Sequence, residues 1–199
     1  MRINNVIKYL ILFEFVVLTA SGLIIPIFPI FVTKSIIDGS IAVVGFASSF
    51  YLLSFSILRL ISARIVDTKL NDKQKITLSI TGTVMIGISY ISYLASRFSW
   101  HIYLLQVING IGTAFRYSPF MSLFTRYIDK GKESSEWGIN AVATNLGQAL
   151  TAAIGGILAE KYGFNIIFIA TGTFVILGSL TTIILYKEIN KQNIELKSN

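Results

Sequence analysis

Along this chain, runs of about 20 residues with few or no charges return again and again, near 9–32, 41–63, 76–96, 101–125, 137–159 and 164–186. A helix of about 20 apolar residues crosses ~30 Å of hydrocarbon, so each run has the length a bilayer demands. Only 14% of the 199 residues are charged and 53% are hydrophobic, whereas soluble domains average about 25% charged. Backbone in lipid must satisfy its own hydrogen bonds, which leaves helices and closed barrels. Barrel strands are shorter and alternate in polarity. The expected fold is therefore all-α: a polytopic six-transmembrane-helix bundle over residues 1–187, followed by a polar tail over 188–199. No soluble domain or low-complexity segment interrupts it. The first run is too long for a signal peptide and is read as a retained helix.

Lysine and arginine divide unevenly between the links. The N-terminal segment, the second and fourth links and the tail carry Arg2, Lys8, Arg64, Lys69, Lys73, Lys75, Arg126, Lys130, Lys132, Lys187, Lys191 and Lys197, which is 12. The opposite links carry Lys34, Arg97 and Lys161, which is 3. By the positive-inside rule both termini are expected in the cytoplasm, in the inner or plasma membrane of a cell. The net charge of +7 follows the needs of topology, so no nucleic-acid partner is expected.

Little here suggests an enzyme. The single histidine, His101, sits beside Trp100 at a span end, where an interfacial role fits. No zinc-protease, nucleophile-elbow or P-loop motif occurs, no cluster of acids or imidazoles shares a face, and there is no cysteine. "GIGTAF" lacks the third glycine of a dinucleotide fingerprint and lies in a span. Neither a metal nor a cofactor is expected.

Five local patterns occur in a recognisable order: "GLIIPIFPIF" in the first span, "ARIVDTKLNDKQK" after the second, "NGIGTAFRYSPF" in the fourth, "NLGQALTAAIGGILAEKYGF" in the fifth and Phe168 in the sixth. Together they resemble the N-terminal half of a major facilitator superfamily transporter, particularly its drug-exporter branch. The resemblance covers residues 9–186 and stops at six spans where the family normally has twelve. It implies that Asp67 braces the cytoplasmic gate, with Arg126 as its natural partner. Gly147, Thr151, Ala152, Gly155 and Gly156 stand at the family's antiporter pattern, Thr and Ala replacing its Gly-Pro pair. Residues 147, 151 and 155 fall on one face, and their small size lets two helices approach closely. Gln106 takes the place of the family's cavity-facing arginine, and Arg116 is a charge the pattern does not explain.

An ionised group at the bilayer centre costs about 2.5–3.5 kcal/mol on insertion scales, so Glu14 and Arg116 need a partner, a proton or a task. Glu14 lies six residues past Lys8 and Arg116 ten before Arg126, about 9 and 15 Å up their helices. Both occupy the same half of the membrane. Arg59 is expected to snorkel to the headgroups. Because the family's first and fourth helices line its cavity, Glu14 and Arg116 are expected to face each other or a shared path. Two readings stay open: Glu14 exchanges a proton or cationic solute under the influence of Arg116, or the two form a permanent pair that fixes packing. Asn109, Asn140, Asn145 and Gln148 are further candidates for solute contact, and Pro26 and Pro29 are expected to bend the first span.

A six-helix bundle leaves one wall of such a cavity missing. The resemblance implies a parallel homodimer or a second six-helix half, moving a small solute by alternating access and exporting amphipathic or cationic compounds in exchange for protons. The alternative is a non-transporting membrane scaffold or partner-binding protein that keeps the half-fold.

Overall fold

The computed structural model describes the backbone of residues 3–198 and side chains as far as Gln192. Arg2 and Lys197, both counted in the charge bias, and most of the 188–199 tail lie outside the described side chains. The helices are α1 (Asn5–Gly22), α2 (Ile27–Ser35), α3 (Ile41–Lys69), α4 (Asp72–Ser92), α5 (Ser99–Tyr127), α6 (Glu133–Tyr162), α7 (Phe164–Gly178) and α8 (Thr181–Ser198). No strand occurs among the described residues.

Local signals set the boundaries. Asn4 caps α1 by accepting from the Val6 N–H at 2.9 Å, and Ser40 caps α3 by accepting from Val43 at 3.2 Å. Asn71 and Gln74 start α4 with a reciprocal capping box. Gly163, at φ 81°, ends α6 and turns the chain directly into α7, a conformation that favours glycine. The first span is interrupted over residues 23–26, immediately before the prolines' half-helix α2, as the Pro26 and Pro29 signal implied. The last span breaks at Ser179 and Leu180, and α8 continues the helix beyond residue 186, where the sequence pattern had placed its end.

Tertiary hydrogen bonds place alternate ends together. Asn4 donates to the Tyr127 carbonyl at 3.4 Å and Asn5 to Glu188 at 3.1 Å. Lys75 donates to Ser122 at 2.9 Å. These contacts gather the start of α1, the α3–α4 link, the end of α5 and α8 at one end of the bundle. At the opposite end, Ile37 donates its N–H to Arg97 and Asp38 accepts from both the backbone and the hydroxyl of Ser99, at 2.9 and 2.6 Å. The links rich in lysine and arginine thus share one end.

Five helical stretches, Asn5–Ser35, Ile41–Lys69, Asp72–Ala95, Glu133–Tyr162 and Phe164–Gln192, are long and apolar enough to cross a membrane. The exception is α5, which has the length but carries Gln106, Asn109 and Arg116. It packs along α3 on one side and α4 on the other. Glycines make that possible: a Cβ at Gly82 of α4 would collide with the Gly112 backbone, and one at Gly110 with Ser54 of α3. The long helix that carries these polar groups is therefore enclosed by protein on two sides.

α6 crosses α1 along the small-residue face read from the sequence. Gly147 lies against Thr19, Gly155 against the Leu23 backbone, and the Thr151 hydroxyl donates to the Thr19 carbonyl at 2.7 Å. Ala152 is half-buried, and Gly156 faces open space. Apolar clusters form near each end. One joins Leu10, Phe13, Phe120, Phe124 and Leu185; the other gathers Phe31, Tyr93 and Phe168, with Phe31 and Phe168 edge to face at 4.7 Å. α3 and α6 expose broad apolar faces, including Leu53, Leu60, Leu146 and Leu150.

Gly155→Leu is expected to force α1 and α6 apart and destabilise the protein by about 1–3 kcal/mol, whereas Gly156→Ala leaves it nearly unchanged; unfolding in detergent by circular dichroism compares them. The two Ser99 hydrogen bonds hold the Asp38 carboxyl below its ordinary range. A lowered folded-state value means that this tie is present above the unfolded carboxylate value and is lost as pH falls through the folded one. The protection factor of the Ser99 amide, its exchange rate set against the intrinsic rate at each pH, should fall over that acidic window and stay unchanged above it.

Candidate functional site

Between the two apolar clusters lies a cavity of about 530 Å³. α1 and α2 form one wall through Ser21, Ile24, Phe28 and Pro29; α5 forms another through Gln106, Asn109, Thr113 and Arg116. α4 contributes Tyr90 and Tyr93, α3 Ser48 and Tyr51, and α6 Gln148. The α5 set recurs every three or four residues, so a single polar stripe of that helix faces inward. The volume falls within the ~300–1,000 Å³ usual for small-molecule sites.

Arg116 and Glu14 are only 4% and 3% exposed. The Arg116 Nη1 donates to Glu14 Oε2, tying α5 to α1 across the middle of the bundle. The guanidinium Nε has no hydrogen-bond partner, while the Arg116 backbone carbonyl accepts from Ser79 of α4 at 3.0 Å. Of the two charges, Arg116 forms part of the cavity wall and Glu14 does not. Glu14 is tied to the cavity through Arg116. The Tyr90 hydroxyl lies by Ser21 and Asn109, and Thr113 donates to the Asn109 carbonyl at 2.8 Å. Along α5, Thr113 and Asn109 follow Arg116 at one and two turns, and Gln106 stands a turn further, toward the end lined by Phe28, Pro29 and Tyr93.

The remaining sequence candidates separate. Gln106, Asn109 and Gln148 line the cavity, but Asn145 is exposed on α6. Asn140 is buried in α6 away from the lining, with its side-chain oxygen unpartnered. Arg126 pairs with Asp72 at 2.8 Å, not with Asp67, which is exposed. Asp72 also accepts from the Tyr127 hydroxyl at 3.0 Å. Because Asp72 opens α4 beside the end of α5, it lies nearer than Asp67, still on α3. Arg59 does not extend outward to headgroups. Its Cζ lies 4.6 Å from the Tyr117 ring centroid and 5.6 Å from that of Phe55. Helical side chains lean toward their own N-terminus, here toward mid-membrane, and the aromatic faces hold the cation there.

Tyr51, Tyr90, Ser21 and Thr113 are lining residues that the motif reading missed. Ser21 stands two helical turns beyond Glu14 and Thr113 one turn beyond Asn109, so helical spacing carried a signal for both.

Removing one member of a buried pair leaves an uncompensated charge, a loss of about 3–5 kcal/mol. Glu14→Leu and Arg116→Met are each expected to destabilise by that order, and the double variant to recover most of it. A double-variant cycle from equilibrium unfolding in detergent measures the coupling.

Comparison with curated proteins finds no match. The family model of the Major Facilitator Superfamily matches residues 10–198, nearly the whole chain, and it agrees with the all-helical bundle and the central cavity. The chain belongs to the Major Facilitator Superfamily, and it is a multi-pass membrane protein of the major facilitator transporter type.

Proposed function

We propose that the protein moves a small amphipathic solute through the cavity by alternating access, linked to a proton carried by Glu14. The cavity supports this most directly: it is sized for a small molecule, and its lining joins polar groups to one buried cation. Intramembrane ionisable residues facing a cavity usually mark ion or solute routes. Glu14 touches that route through Arg116, so a proton arriving at the carboxylate changes the charge the solute meets.

A second six-helix unit completes the cavity on the side bordered by α3 and α6, either a parallel second copy or a partner half. Both helices carry exposed apolar faces and both contribute to the lining. The charged end of the bundle faces the cytoplasm of the plasma or inner membrane, which places both termini there. A two-fold axis along the membrane normal keeps that orientation in both copies. Arg126 and Asp72 at this end hold α4 against α5, and Asp67 is available to a facing unit.

Vesicles containing the purified protein, loaded with a pH-sensitive dye and offered a broad solute panel, test the proposal. A solute gradient should shift the internal pH, and Glu14→Gln should abolish the shift. A flat trace across the panel with folded protein would favour the scaffold reading.

A further inference from the structure

We infer that the cavity takes an anionic amphipathic solute, a carboxylate or equivalent anion on an apolar body, and that this anion binds together with a proton. The inference rests on the reading of the cavity as the solute's seat and adds the solute's charge and the sign of its coupling to protons.

Arg116 is the one charged side chain in the lining among the described residues. Its guanidinium is buried, and its Nε is unpartnered. Along α5 from it stand further polar groups of the lining, the Thr113 hydroxyl one turn away and the Asn109 amide two turns away, with the Tyr90 hydroxyl beside Asn109. Beyond them Phe28, Pro29, Ile24 and Tyr93 offer an apolar end. A guanidinium presents only donors and pairs best with a carboxylate or phosphate-like group. A cation would stand against Arg116 with Glu14 behind it.

Charge neutrality then dictates the coupling. With the cavity empty, ionised Glu14 neutralises Arg116. An anion bound at Arg116 beside ionised Glu14 would leave one buried negative charge in excess; protonated Glu14 beside an empty cavity would leave one positive charge. Both are costly in a low dielectric. The neutral alternatives are the closed pair, or protonated Glu14 with the anion on Arg116. The proton comes from water and rests on the Glu14 carboxyl, so proton and anion enter together with no net charge. Proton and solute therefore travel in the same direction, in place of the exchange that the resemblance implied.

The pair's own helix α5 adds Tyr117, whose ring meets the Arg59 guanidinium, and other ionisable groups stand on the helices around it. On α1 the nearest are Lys8 and Tyr9, one or more turns toward the basic end. α3 and α4 bring Tyr51 and Tyr90 to the cavity. α6 has Glu133 and Glu136 in its first turn, α7 has no ionisable residue, and the first in α8 is Tyr186, near its middle.

The test is binding to the protein in lipid nanodiscs. 1-Naphthoate and 1-naphthylmethylammonium present the same ring with opposite charge. Naphthoate should bind saturably, take up one proton per molecule in calorimetry across buffers of different ionisation enthalpy, and bind about tenfold tighter for each pH unit lowered while free Glu14 is ionised. Glu14→Gln should keep the binding, abolish the proton uptake and flatten the pH profile. Arg116→Gln should remove saturable binding. The inference is overturned if the wild-type protein fails to bind naphthoate saturably, binds it without proton uptake, or binds the ammonium probe saturably with proton release. These outcomes are independent of the vesicle assay: linked anion binding with flat vesicle traces would defeat the transport proposal alone, and transport without proton-linked anion binding would defeat this inference alone.

Discussion

A guanidinium sealed among helices needs a negative charge within reach, and the Arg116–Glu14 contact supplies it. This pair fixes the height at which α1 meets α5, since displacement along either helix would separate two charges in a medium that screens them poorly. The apolar clusters on either side take their places around that contact. They are satisfied by any dense packing of hydrocarbon and rings. The pair is the directional element, and the cavity forms beside it because Asn109, Thr113 and Gln106 share the same stripe of α5.

Placing a polar helix in the middle requires neighbours that can come close. Gly82 and Gly112 allow α4 onto α5, Gly110 allows α3 onto its other side, and the Gly147–Thr151–Gly155 face allows α6 onto α1. Between helices in lipid, close packing and hydrogen bonds replace the hydrophobic effect as the source of association. Ser62 and Ser118, with hydroxyl oxygens 2.7 Å apart, add such a bond between α3 and α5. These seams shield α5 from lipid without further apolar residues on it.

Much of this was legible in the chain itself. Uncharged runs located the helices, the Pro26 and Pro29 signal located the first break, and counting rises from Lys8 and Arg126 brought Glu14 and Arg116 to comparable depth. The four-residue spacing of small side chains marked one face of α6 for close packing, and the structure supplies α1 as its partner. Partners inside one link were harder: Asp67 and Asp72 are five residues apart, and only the approach of two helix ends selects Asp72 for Arg126. Rotation was also hidden. Asn145 and Gln148 differ by about 60° around α6, enough to put one on the exposed face and the other on the cavity edge. Which of Glu14 and Arg116 reaches the cavity depends on side-chain direction, which spacing does not encode.

The interruption of the first span after Gly22 divides that wall between two anchors. α1 is rooted in the cluster around Phe13, with Glu14 on it, whereas α2 is rooted through Phe31 in the aromatic cluster with Tyr93 and Phe168. Pro26 supplies no N–H to carry the helical ladder across the gap. The chain crosses the interruption through short-range hydrogen bonds from Leu23, Ile24 and Ile25 in place of the helical ladder, so Phe28 and Pro29 take their positions from the aromatic cluster while Glu14 takes its own from the packing around Phe13.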